Sequence, residues 1–132
     1  MIDWKRWVGL PHEIGADPRL GKAACCLRIT QIILNDAGYR FPFELNELYR
    51  LAKEKDIVAI ARAFDSSTVS ISAPEAYCMT LFTDERLGIG IGIVVPDEIG
   101  GRLFLLVPHH RRGVMPVPVD ILSSLKFARI AT

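Results

Sequence analysis

The sequence predicts an α+β domain, with helices in the first half of the chain and an antiparallel sheet in the second. Two observations carry that prediction. Up to Phe64 the apolar residues recur at three- and four-residue spacing, the period of helices with one buried face. From Asp65 onward they alternate with Ser, Thr and Gly in short runs separated by turn residues, the period of strands. Helices first and connected strands second give an antiparallel sheet packed on a helical layer rather than a parallel βαβ array. We expect five to six strands and a single domain spanning 1–132, because 132 residues can close one core without a metal or disulfide.

The elements follow in order. Trp4 and Trp7, three residues apart, predict a short helical turn over Met1 to Val8 whose aromatic side staples to the body. Gly9 to Gly21 is a loop, with three glycines, two prolines and His12 within it. Gly21 to Gly38 carries the main helix. Ala23, Cys26, Leu27, Thr30, Ile33, Leu34 and Ala37 share its inner face, while Arg28, Gln31, Asn35 and Asp36 lie off it. Gly38 is its left-handed cap, and Pro42 prevents continuation. Glu44 to Lys55 forms a second helix, and Asp56 caps a third from Ile57 to Phe64. Strands follow near Val69 to Ile71, then over Ala76 to Phe82, Leu87 to Val95, Arg102 to Val107, Gly113 to Val119 and Leu125 to Ile130. The turns between them lie at Thr83 to Arg86, Pro96 to Gly101 and Pro108 to Gly113.

Composition narrows the function classes. Sixteen basic against fifteen acidic residues leave a net charge of +1, which does not call for nucleic acid or anionic lipid as the main partner. No apolar run is long enough to span a bilayer, and the N-terminus has no signal-peptide hydrophobic region, so synthesis in the cytosol is the expectation. Half of the residues are hydrophobic and the mean hydropathy is +0.25. That predicts an apolar surface partly covered by another subunit, a thick core being the alternative. Three cysteines, two of them adjacent, make no disulfide framework, and no spacing of Cys or His suggests zinc or any other cofactor.

Cys25 and Cys26 fall in the first turn of the main helix, where unpaired N–H groups and the positive end of the dipole favour a thiolate. Small cysteines also fill cores inertly at such positions. Gly88 to Ile93 alternates glycine with isoleucine. It lacks the helix start and lysine of a phosphate loop, so its glycines are expected to let the strand lie close against the Cys helix.

Taken together, Trp7 to His12, Gly21, Cys25 to Ile29, Ala37-Gly38 and Phe41-Pro42 resemble the N-terminal pattern of NlpC-type, papain-like cell-wall cysteine peptidases. The resemblance is to the short versions encoded by tailed bacteriophages. The strands continue it: Ala76 to Phe82, Gly90 to Ile93, Arg102 to Leu106 and Gly113 to Leu122 match successive strands of that family. The resemblance implies a papain-like fold in which Cys26 occupies the nucleophile position. It places the base histidine at Gly90 and the residue that orients it near Leu106, neither of which can exchange a proton with a thiol. The tyrosine of the family's Gly-x-Pro-Tyr loop is His12, the residue before the nucleophile is Cys25, and a family glycine is Arg28. His12 is the candidate substitute base for Cys26, and His109, in the turn with His110, Arg111 and Arg112, is a second. The two histidines and two arginines of that turn otherwise read as a solvated tip or as a basic patch for a neighbouring subunit. The resemblance then implies a virion component at the tail tip or hub with decayed catalysis. Its partners would be other tail or baseplate hub proteins, copies of itself and peptidoglycan, without nucleic acid or a membrane span. An active endopeptidase or amidase, and an unrelated cytosolic binding module, are the alternatives.

Overall fold

The computed structural model of the chain describes residues 3–84, 88–97, 101–109, 111–121 and 125–131. A short 3-10 turn at Trp4–Trp7 opens it, and a second follows at Pro18–Leu20. Three helices come next: α1 at Cys26–Asp36, α2 at Leu45–Glu54 and α3 at Ile57–Ser67. The strands are β1 at Thr68–Ile71, β2 at Met79–Asp84, β3 at Gly88–Pro96, β4 at Leu103–His109, β5 at Gly113–Pro118 and β6 at Lys126–Ile130, with a 3-10 turn at Val119–Ile121 before the last. They form one six-stranded sheet in the order β1-β6-β2-β3-β4-β5, every pair antiparallel. The predicted α+β class and its helices-then-strands order are thus both present. Several predicted turn residues, among them Arg86, Glu98, Ile99 and Gly100, and also His110 and Leu122, lie outside the described residues.

Local chemistry explains the helix boundaries. Asp56 accepts from the Ala59 N–H at 3.1 Å and starts α3, as a capping side chain does. Glu44 does the same for α2, accepting from the Asn46 and Glu47 N–H groups. At the end of α1, Gly38 has φ 91°, and the Tyr39 N–H reaches back to the Leu34 carbonyl at 2.9 Å. That is the glycine-capped stop the sequence predicts. Trp7 is 2% exposed, and the ring of Trp4 lies 6.5 Å from that of Phe104, so the tryptophan turn does staple to the body.

The sheet has two apolar faces. On one, Met79, Ile91, Ile93, Val95, Leu106 and Ala128 share a core with Ile29, Ile33 and Leu34 of α1 and with Leu48, Ile60 and Phe64 of the other helices. On the other, Cys78, Phe82, Val94, Leu105 and Val119 make a second buried cluster. Period-2 alternation therefore sends apolar side chains both ways from β3, as a sheet buried on both sides requires. Helix α1 is buried more widely than its predicted face: Ile29 and Ile32 are buried as well.

The glycines of β3 require a correction. Gly90 and Gly92 do not lie against α1. A Cβ on Gly90 would stand 2.4 Å from Phe82 Cζ, and one on Gly92 would stand 2.9 Å from Leu105 Cδ1. Both belong to the face turned away from the helices, where Phe82, paired with Gly90 across the β2/β3 ladder, lays its ring over them. The sequence pattern located the close approach but not its side. In a strand, one residue of register decides the face.

Phe82 is buried and cannot swing clear. Gly90→Ala should therefore destabilise the fold by about 1–3 kcal/mol as an overpacked site, read as a lower urea midpoint. Adding Phe82→Leu should recover part of the loss. On the same face, the hydroxyl of the fully buried Thr80 has no hydrogen-bond partner among the described residues. Thr80→Val should raise stability by about 1 kcal/mol, because a buried unsatisfied polar group costs about that much or more. A drop in the midpoint would show that the hydroxyl is satisfied.

Candidate functional site

The site to be judged is the N-terminus of α1 and the loop in front of it. The loop is fastened at both ends. The Gly9 N–H donates to the Val114 carbonyl at 2.8 Å, and the Val114 N–H donates to the Leu10 carbonyl at 2.9 Å. The backbone passes so close to Gly113, φ 72°, that a Cβ there would stand 2.2 Å from the Leu10 oxygen, and only glycine fits. Further on, His12 and Ala24 form an isolated parallel bridge. The Ala24 N–H reaches the Pro11 carbonyl at 2.9 Å, and the Glu13 N–H reaches the Ala24 carbonyl at 3.0 Å. The Cys25 N–H donates to Ala16 at 3.2 Å, which seats the start of α1 in the loop.

Cys25 is the N-cap residue, extended at φ −114° and ψ 130°, with no capping hydrogen bond from its side chain, and Cys26 is the first helical residue. Both thiols are buried, at 3% and 6% exposure. Burial, with a smaller contribution from neighbouring Cys25, pushes the Cys26 thiol far above its ordinary value near 9.0. The positive helix end acts the other way. A dipole contributes about 0.3–1 kcal/mol at a helix terminus, and one pKa unit alone is about 1.4 kcal/mol, so desolvation wins. The expectation of a thiolate-favouring first turn fails here because the turn is sealed from water.

Among the described residues, no histidine is hydrogen-bonded to a cysteine. His12 lies at the surface with protein packed around part of its ring, which desolvates the imidazole and lowers its pKa, with no contribution from a thiol. The backbone bridge brings His12 beside Ala24, two residues before Cys26, yet no imidazole–thiol pair forms among the described residues. His109 serves its own turn: Nδ1 accepts from the Arg111 and Arg112 N–H groups, each at 3.1 Å. His110 lies outside the described residues. Gly90 faces Phe82 on the far side of the sheet, and the residues that β3 presents to the helical layer include Ile91, Ile93 and Val95. Leu106, 1% exposed, stands in that same core.

The polar groups at the mouth of α1 include Arg28 and Gln31, which the sequence places off the inner face of the helix, and Asp17, Arg19 and Tyr49, which the sequence pattern did not single out. Asp17 accepts from Arg19 through its main-chain N–H at 3.0 Å and through its guanidinium at 2.7–3.1 Å. Arg28 Nη2 stands 3.6 Å from the same carboxylate. The hydrogen bond from Arg19 holds the Asp17 carboxyl far below its usual range. Arg28 also donates to Gln31 at 2.7 Å. The ring of Tyr49, from α2, lies against Gly15, and burial first and Cys25 second push its phenol up. The Asp–x–Arg spacing of Asp17 and Arg19 is the one local signal that could have revealed part of this cluster; Tyr49 is brought there only by the packing of α2. The arrangement is a partly exposed ion-pair network that joins the loop to the first turn of α1. Among the described residues, no three His, Cys, Asp or Glu side chains are grouped to hold a metal ion, and no helix is long and apolar enough to cross a membrane.

No protein-family model, curated protein or solved structure matches this chain.

A thiol that stays protonated in the fold but ionises in the unfolded chain stabilises the fold fully below pH 9.0 and loses that contribution as pH rises further. The urea midpoint should therefore fall between pH 9 and about pH 11, and more steeply for the wild type than for Cys26→Ala. Equal slopes would place the ionising group elsewhere.

Proposed function

We propose that this chain is a structural and interaction component of a bacteriophage tail, at the tip or hub, built on an NlpC-type peptidase fold that no longer catalyses. The observation that carries the loss of catalysis is the state of Cys26: at the head of a helix, buried, with its thiol pushed up and, among the described residues, no imidazole paired to it. A cysteine peptidase needs the reverse, a thiolate exposed to substrate beside a base. The loop that would border a cleft is instead bonded to β5 and α1 along its length. The tail assignment rests on the sequence resemblance: the Trp7 to His12 and Cys25 to Ile29 segments, the Ala37-Gly38 helix end and the strand order that follows.

A second reading, an endopeptidase or amidase acting on peptidoglycan stem peptides through Cys26 and His12, is favoured by one observation. The His12–Ala24 bridge holds that histidine's backbone against the strand segment leading into α1, so a modest opening of the loop would expose thiol and imidazole together.

One set of experiments separates the two. With all three cysteines buried, the native protein should leave Cys25, Cys26 and Cys78 unlabelled by iodoacetamide at pH 7, while denaturant exposes all three. It should release no new amines from purified peptidoglycan, and Cys26→Ala should change nothing in that assay. Rapid labelling of Cys26 that slows in His12→Ala, or cleavage lost in Cys26→Ala, establishes the enzyme instead. For the tail assignment, the chain should sediment with assembled particles from producing cells rather than remain free.

A further inference from the structure

The two edges of the sheet are treated differently. At one edge, β5 contains Pro116 and Pro118, which have no N–H to offer, and the Gly9–Leu10 backbone bonds to Val114. At the other edge, β1 pairs with β6 and, among the described residues, has no strand on its outer side. Its sequence, Thr68 to Ile71, contains no proline, lysine or other charge. Its shortness, four residues, is the one protective device it carries among the described residues; the charges and prolines that blunt other edge strands are absent from it. Val69 is 56% exposed there.

The hydrogen-bond phase of β1 specifies what can add to it. The Ala131 N–H donates to the Ser67 carbonyl at 3.2 Å, and Ser67 stands one position before the pair Thr68↔Ile130. Bonded and non-bonded pairs alternate along an antiparallel ladder. The N–H and C=O groups of Val69 and Ile71 therefore turn toward β6, and those of Thr68 and Ser70 point outward. From this we infer that β1 is a self-association edge, pairing antiparallel with β1 of a second copy about a two-fold axis through Ser70. In that register, Ser70 exchanges both of its backbone hydrogen bonds with Ser70 of the second copy. Val69 lies opposite Ile71 of the second copy, so the exposed valine of each chain gains an apolar neighbour, and no like charges meet across the seam. The two sheets become one twelve-stranded sheet with both helical layers on the same side. A second copy fits better than a foreign strand because β1 is complementary to itself at every position of this register. A four-residue strand buries less than the roughly 800 Å² per partner of a standard stable interface. The dimer is therefore weak and concentration-dependent in free solution, strengthening where copies are held together. The inference stands on the fold and does not depend on the tail assignment.

Sedimentation equilibrium of the full chain from micromolar to millimolar concentration tests it. The wild type should pass reversibly from the 14.7 kDa monomer toward twice that mass. Ser70→Pro removes only an outward N–H and leaves the β6 ladder intact. It should keep the wild-type circular dichroism and weaken association about thirtyfold, the equivalent of two backbone hydrogen bonds. Val69→Glu, which places a carboxylate across from Arg129 and opposite the second copy's Ile71, should weaken association independently and covers the case in which the proline variant misfolds. In Ser70→Cys, the introduced thiols sit at a hydrogen-bonded pair about 5.5 Å apart at Cα, within disulfide reach, and should crosslink under mild oxidation much faster than those of Ser66→Cys on α3. A wild type that remains monomeric throughout overturns the inference. So does a dimer unaffected by both edge substitutions, or equal crosslinking of the two cysteine variants.

Discussion

Everything in this molecule is hung on the packing of α1 against β3. Ile29 and Ile33 of the helix and Ile91 and Ile93 of the strand, all at 3% exposure or less, sit at the centre of the larger core. Burying four such side chains contributes on the order of 6–12 kcal/mol before conformational entropy is subtracted, a large share for a domain of this size. The helix cannot move without opening that core, so the positions of Cys25, Cys26 and the loop that caps them are fixed by it. The loop in turn is tied to β5, which links the far edge of the sheet to the head of the helix through the Gly9, Leu10 and Val114 backbone bonds.

This anchoring accounts for the chemistry at Cys26. A thiol at a helix N-terminus experiences two opposed influences, a dipole that favours its ionised form and a surrounding that either admits water or does not. Here the core reaches to the first residue of the helix, and the loop closes over it. The same covering that stabilises the domain removes the solvent a thiolate needs, and the dipole is too weak to compensate. Polar order at that end is provided by Asp17, Arg19, Arg28 and Gln31, whose charges and hydrogen bonds are spent on one another.

The second face of the sheet has its own logic. Phe82 occupies the volume that side chains at Gly90 and Gly92 would take, so a large ring and two absent Cβ atoms are one packing solution, an aromatic laid over glycines in a neighbouring strand. The face holds a single unsatisfied hydroxyl, at Thr80, among the described residues, which is a small cost in an otherwise apolar cluster.

Much of the fold was legible in the sequence because it depends on local period and on capping chemistry. The switch from helical spacing to alternation near Asp65, the Asp56 and Gly38 caps and the strand-and-turn rhythm each act within a few residues, and the structure places its elements within a few positions of where those signals put them. Among the strands, the largest inward move is at β2, which starts at Met79 rather than Ala76, after Tyr77 takes a left-handed φ of 65°, a conformation that no residue type announces for tyrosine. The face on which Gly90 and Gly92 sit, the covering over Cys26, the arrival of Tyr49 beside Cys25 and the outer side of β1, which has no strand partner among the described residues, were decided only by the tertiary structure. Each depends on which side of an element meets which neighbour. A sequence fixes the period of its apolar residues, but it takes the assembled chain to determine what stands opposite them, and at Cys26 that neighbour decides whether a thiol is a nucleophile or part of the core.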